Sequence, residues 1–154
     1  MTLRDYRPED FSKLCEIDRL CFPRGIAYSA AEIALALKER GIIVVVGAVA
    51  GATGEKADER AVAFVLARQE DPSRGHIITI DVLPEFRRTG LGSALMAEAH
   101  RRLKELGVER VMLETSVENA PAIAFYKKLG YATLRRLSRY YLGKMDAYLM
   151  AKDL

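Results

Sequence analysis

From Val82 to Met96 the chain reads V-L-P-E-F-R-R-T-G-L-G-S-A-L-M, in which two arginines are followed almost at once by two glycines. Gly90 and Gly92 fall where a strand hands over to a helix, and glycine there removes the Cβ that would hold a ligand off the backbone. The first N–H groups of a helix lack intrahelical partners and carry the positive end of its dipole, so such an end binds phosphate. Arg87 and Arg88 add fixed cationic charge beside it. The stretch therefore suits a phosphate or pyrophosphate. The plainer alternative is a turn whose glycines serve geometry alone, with arginines in solvent. A P-loop is excluded because no lysine follows these glycines at its spacing, and a dinucleotide fingerprint would need a small residue where Leu95 stands. A second chemical signal is Glu114, which interrupts the apolar run V-M-L-E-T-S-V. A carboxylate there either points to solvent from an exposed strand face or works as a base.

The elements that must position these groups follow from periodicity. T-L-R-D-Y-R reads as a short strand, and Pro8 suits an opening helix turn. Phe11, Leu14, Cys15, Ile17, Cys21 and Phe22 recur at helical spacing until Pro23 and Gly25 break the pattern. Ser29 with Glu32 forms a capping-box spacing for a helix over A-A-E-I-A-L-A-L-K-E-R that Gly41 closes. The β-branched run Ile42–Ala50 and A-V-A-F-V-L-A-R-Q form a hairpin across the polar loop G-A-T-G-E-K-A-D-E-R. After the break D-P-S-R-G comes H-I-I-T-I-D-V-L, with Ile78, Ile80 and Val82 expected on one face. Leu91, Leu95, Ala99, Leu103 and Leu106 mark one side of a helix ended by Gly107. V-E-R-V-M-L-E-T-S-V is a strand, and Asn119 caps a helix carrying Phe125 and Tyr126 that Gly130 ends. Two strands, Y-A-T-L-R-R-L-S-R-Y-Y and M-D-A-Y-L-M-A-K, flank a turn at Gly143. The expected architecture is α/β, a mixed central sheet of about seven strands with about four helices on its faces.

Composition bounds the function. The 154 residues suit a single domain, residues 1–154, and are half hydrophobic and 29% charged, a globular balance. A formal charge of +3 gives little support to nucleic-acid binding. The charged N-terminus does not read as a signal peptide, and I-I-V-V-V-G-A-V-A-G-A is too short to cross a bilayer. Cys15 and Cys21 form no disulfide framework or metal spacing and are expected to be buried free thiols, so a reducing cytoplasm is the default and no metal is expected. His76, opening a strand, and His100, riding a charged helix face, receive no role.

V-L-P-E-F-R-R-T-G-L-G-S-A-L-M resembles the acetyl-coenzyme A motif of the GNAT acetyltransferases, Q/R-x-x-G-x-G/A, with Arg87, Gly90 and Gly92 in the fixed positions and Val82 and Pro84 where V-x-P is usual. L-E-T-S-V-E-N-A-P-A-I-A-F-Y-K-K-L-G-Y is similar to a second family motif, an Asn-led helix carrying A-x-x-x-Y-x-x-x-G-F/Y. The resemblance implies a GNAT fold with a splayed sheet centre, in which the pantetheine arm of acetyl-coenzyme A lies along Ile80 and Val82. The pyrophosphate is then expected on the amides of Arg88, Thr89, Gly90, Leu91, Gly92 and Ser93, with Asn119 a further cofactor contact. It implies Tyr126 as the acid facing the sulfur and Glu114 as the base, acting directly or through water, with attack inside a ternary complex. The closest likeness is to RimI-type and NatA-type enzymes, whose closing R-x-x-Y-Y and D-A-x-x-M are matched here. That implies Tyr140 and Tyr141 on the peptide backbone and Tyr28 on the opposite wall. The acceptor is then a protein N-terminus, with a ribosomal protein as one candidate. A lysine or small-molecule amine, or binding without turnover, are the competing expectations. Two departures stand out: Asp81 occupies a place often taken by a small residue, and E-T-S-V-E-N lacks a usual arginine and has Glu118 in place of a serine.

Overall fold

A computed structural model describes residues 1–55, 58–141, 143 and 145–154. The loop between the first hairpin strands and the turn before Met145 therefore include residues outside the described set. The elements follow the expected order: β1 (Thr2–Asp5), α1 (Phe11–Cys21), α2 (Ala30–Ala36), β2 (Ile42–Val49), β3 (Arg60–Asp71), β4 (Arg74–Val82), α3 (Leu91–Glu105), β5 (Arg110–Ser116), α4 (Ala120–Lys128), β6 (Ala132–Tyr141) and β7 (Met145–Asp153). One sheet contains all seven strands, in the order β1-β2-β3-β4-β5-β7-β6. Every pairing is antiparallel except β4 with β5, where α3 provides the crossover that a parallel pair requires.

Local chemistry explains the boundaries. Ser29 Oγ accepts the Glu32 amide at 3.1 Å while Glu32 Oε1 accepts the Ser29 amide at 3.1 Å, a reciprocal cap that starts α2. Pro8–Asp10 forms a 3-10 turn before α1, and the Asp10 carboxylate is held by Arg4 at 2.8 Å and the Arg7 amide at 2.8 Å. Gly107 and Gly130 end their helices in the left-handed region, as their positions suggested, whereas α2 stops at Ala36 with Leu37 as its cap and reaches Gly41 only through further turns.

The core lies on both faces of β3, whose Ala61–Ala67 are buried without a break, as befits a strand covered on two sides. α3 covers one face through Leu91, Leu95, Met96, Ala99 and Leu103. Leu106, expected on that stripe, is half exposed because it caps the helix after the last full turn. α1 covers the other face with Leu14, Cys15, Ile17 and Asp18. Cys15 is buried as expected, whereas Cys21 is partly open. Burial pushes the Cys21 thiol up to about 11, which keeps it protonated.

One expectation about β4 fails. Thr79 pairs with Leu66 and Ile77 with Ala67, so two steps on β4 span one on β3 and Ile78 is the extra residue of a bulge. Ile78 lines a hollow beside Tyr28, Ile33 and His76 under α2, whereas Val82 approaches Gly92 of α3. The bulge thus turns Ile78 to the opposite face from Val82, a shift invisible to simple alternation.

Candidate active site

β4 and β5 pair only at Arg74–Arg110, Gly75–Val111 and His76–Met112. Beyond His76 the two strands part, although β4 runs on to Val82 and β5 to Ser116. The bulge at Ile78 lies where they separate. β4 keeps β3 on its other edge, so its remaining backbone faces an opening in the middle of the sheet. The Ile78 carbonyl accepts the Tyr28 hydroxyl at 3.4 Å, and the Val82 carbonyl accepts Arg87 Nε at 2.9 Å. Ile80, between them, has no side-chain partner on its backbone among the described residues. Free ladder groups at that point are what an extended amide-bearing chain needs.

At the far end of β4 the chain turns into α3 through two residues with positive φ, Arg88 at 60° and Gly90 at 85°. An added Cβ at Gly90 would meet nothing within 4 Å, so glycine is needed there for its φ. At Gly92 an added Cβ would press on the Phe125 ring of α4, 3.3 Å from its Cζ. No side chain caps α3, whose first amides face outward beside the exposed Arg87 and Arg88. Thr89 closes the turn by donating its hydroxyl to the Phe86 carbonyl at 2.6 Å. An open strand edge leading to uncapped helix amides and two cations fits a ligand with an amide arm and a pyrophosphate, the form of coenzyme A.

The protonic groups sit around the opening. Glu114, half-buried on β5, has Oε2 2.6 Å from His76 Nε2, and His76 Nδ1 lies 3.3 Å from Glu70 Oε1. Sequence reasoning gave His76 no role. The parallel register that sets it opposite Met112, two residues before Glu114 on the same face, was not legible before the strands were paired. Tyr126 packs its ring on Phe125 and Tyr131, with centroids 5.4 and 5.9 Å away. Its hydroxyl has no protein partner among the described residues. Burial raises its pKa well above the ordinary tyrosine value, so it stays a donor.

Tyr28, Tyr140 and Tyr141 gather near Glu114. Burial, with Tyr140, Asp18, Glu114 and Glu32 adding to it, pushes the Tyr28 phenol up to about 12. Burial and Glu114 raise Tyr140, and burial followed by Tyr140, Tyr28 and Glu114 raises Tyr141. The rings of Tyr140 and Tyr141 meet edge to face at 4.9 Å. Their aim comes from a kink in β6, where Leu137 pairs with Ala147 and Tyr141 with Met145. Asp146 pins that kink by accepting the Arg139 amide at 2.9 Å and Arg136 Nε at 2.6 Å. Arg139 sits there at φ 53°. The aspartate of the closing D-A-x-x-M is thus a positioning group, a role the sequence reading did not assign.

Asn119 caps α4 by accepting the Ala122 amide at 3.3 Å through its Oδ1. His100 does not ride an open charged face: its Nε2 lies 2.6 Å from the Tyr131 hydroxyl behind Tyr126. Burial first and Lys152 second bring its pKa down to about 4. Among the described residues no group of three or more His, Cys, Asp or Glu side chains is arranged to hold a metal ion. No described helix is long and apolar enough to cross a membrane.

Comparison with known proteins bears on the chain as a whole. The family model described as "Acetyltransferase (GNAT) family" matches residues 11–131. An N-alpha-acetyltransferase of Saccharolobus solfataricus is 33% identical over 165 aligned positions, covering 99% of this chain and 93% of that one. The crystal structure of Ard1 from Thermoplasma volcanium superposes with a TM-score of 0.83 at 27% identity, covering 99% of this chain and 97% of that one. Arabidopsis thaliana NAA60, solved in complex with acetyl-CoA, shares the fold with a TM-score of 0.84 at 24% identity, covering 99% and 98% of the two chains.

Proposed function

The chain belongs to the GNAT acetyltransferase family, and we propose that it transfers the acetyl group of acetyl-coenzyme A to the α-amine at a protein N-terminus. The observation that carries this reading is the end of β4–β5 pairing at His76, which opens the sheet between a phosphate-binding turn and a carboxylate–imidazole pair. Acetyl-coenzyme A, when bound, supplies a thioester whose acyl carbon is open to a neutral amine.

Each residue then has a separable task. The amides of Arg88–Ser93, with Arg87 and Arg88, hold the pyrophosphate, and Ile80 and Val82 offer the β4 edge to the pantetheine amides. Glu114 takes a proton from the amine at Oε2 and passes it to His76 Nε2. The imidazole then releases the proton it carried at Nδ1 toward Glu70, which is exposed. Tyr126 holds a proton at its hydroxyl for the departing sulfur. An α-amine titrates near 7.7–8.0 and lysine near 10.4, so one carboxylate with a short relay is enough for the former. Tyr28, Tyr140 and Tyr141 line the way in for the peptide backbone, supported by their grouping around Glu114. A cytoplasmic site of action is supported by the free thiols, and the whole of residues 1–154 acts as one catalytic unit.

The deciding experiment offers acetyl-coenzyme A with matched peptides, one with a free N-terminus and no lysine, the other N-blocked with an internal lysine. Acetylation of the first alone is expected. Acetylation confined to the second, or to polyamines, would sink the N-terminal reading.

A further inference from the structure

Asp18 of α1 and Asp81 of β4 are carboxyls that the chemistry above does not use, and they are 0% and 1% exposed. Asp81 is also the residue that stands where a small one is usual. Asp18 Oδ2 accepts the Tyr28 amide at 2.6 Å, and Asp81 Oδ1 accepts the Thr79 hydroxyl at 2.6 Å. The two remaining oxygens, Asp18 Oδ1 and Asp81 Oδ2, have no other partner. α1 packs on β4 at this point, with Cys21 Sγ donating to the Val82 carbonyl at 3.4 Å, which sets the two buried carboxyls side by side. Two buried carboxylates this close cannot both ionise, and one proton between the two orphaned oxygens satisfies both.

We propose that Asp18 and Asp81 share one proton and act as a positioning pair that clamps the segment after α1 to β4, setting where Tyr28 stands against the bulge. The proton belongs on Asp81, because Asp18 already receives a backbone N–H that favours its charged form. Burial, with Asp18 beside it, pushes the Asp81 carboxyl well above the usual aspartate range. The charged groups acting on the pair are Arg87 from the turn after β4 and Glu32 from α2; Cys21 of α1 and Tyr126 of α4 lie near it protonated. The clamp ends at the site itself, since the Tyr28 hydroxyl reaches the Ile78 carbonyl where β4 leaves β5. One retained proton thus fixes the wall that faces Tyr140 and Tyr141.

The clamp's role in acceptor binding rests on the N-terminal reading, so one arm of its test does not. Infrared spectra of the full chain at neutral pH should show a protonated-carboxyl C=O band that is lost in Asp81→Asn, where the amide takes over the donor role. Kinetically, Asp18→Ala should raise the peptide KM about tenfold, the effect of a buried hydrogen bond lost, with kcat and the acetyl-coenzyme A KM near wild type. Asp18→Asn, which can still accept from Tyr28 and donate to Asp81, should restore the peptide KM. Absence of the band in the wild-type chain overturns the pair whatever the acceptor. A wild-type peptide KM in folded Asp18→Ala, or equal damage to all three parameters in Asp18→Asn, overturns the positioning role. If Asp18→Ala does not fold, the band and Asp18→Asn decide. If the wild-type chain acetylates no peptide N-terminus, the acceptor role falls with that reading, while the band still reports whether the proton is shared.

Discussion

On the side of the opening assigned to the phosphates, the proposed working groups are backbone amides of residues 88–93, fixed by the positive φ of Arg88 and Gly90. On the side assigned to the acceptor they are three phenols from two separate segments. Tyr28 is aimed by Asp18, and Tyr140 and Tyr141 by the kink that Asp146 pins. The first bank is built from local conformation, and the second from tertiary contacts among side chains. A backbone site keeps its shape through exchange of its side chains provided its glycines remain, and loses only the charge that a side chain such as Arg87 adds. A side-chain site fails when a supporting carboxylate is removed, even one that never touches substrate.

Breaking the chemistry common to both banks gives the largest expected effect. Tyr126→Phe should lower kcat by about 10²–10⁴ with both KM values little changed, read by steady-state kinetics against each substrate. An unchanged kcat would remove Tyr126 from the proton inventory. Next comes the phosphate bank. Arg87→Ala with Arg88→Ala should weaken acetyl-coenzyme A binding by about 10²-fold, the scale of two charge-assisted contacts, and leave a truncated pantetheine thioester unaffected. Equal loss for the truncated thioester would show that the arginines support the turn and not the phosphates.

The acceptor bank is sharpened by Asp146→Ala, which frees the Arg139 amide and Arg136. The peptide KM should rise about three- to tenfold, the worth of an exchanged hydrogen bond, with the acetyl-coenzyme A KM unmoved. A change in both would dissolve the division between the banks. The smallest effect lies behind Tyr126. Because folding lowers the His100 pKa from 6.5 to about 4, an unfolded chain binds a proton there that the folded one refuses. Stability should therefore fall as pH drops from 6.5 toward 4, and His100→Gln should flatten that slope in thermal melts taken across the window.

The same division accounts for what could be read from the amino-acid sequence. The element order, the cap at Ser29 and the helix ends at Gly107 and Gly130 depend on neighbours in the chain, and each stands where periodicity put it. The glycine-rich turn was legible for the same reason. What was not legible depends on register. The bulge at Ile78 reverses the face of a residue that alternation assigned to the other side, and His76 meets Glu114 only once β4 and β5 are aligned. Asp81 drew notice as an odd residue, but its partner on α1 lies 63 positions earlier and no spacing connects them. His100 looked like surface because the residues beside it on α3 are charged, whereas its own ring turns inward to Tyr131.

β6 closes one margin of the sheet, and nearly every residue from Ala132 to Tyr141 is open to water. A long strand with an unpaired ladder is a template on which foreign strands can polymerise. Arg135, Arg136 and Arg139 interrupt it with charge, and the kink at Arg139 spoils its straightness. The bend that aims two tyrosines therefore also guards the protein's solubility, and a smooth apolar β6 would trade an acetylation defect for a tendency to form fibres.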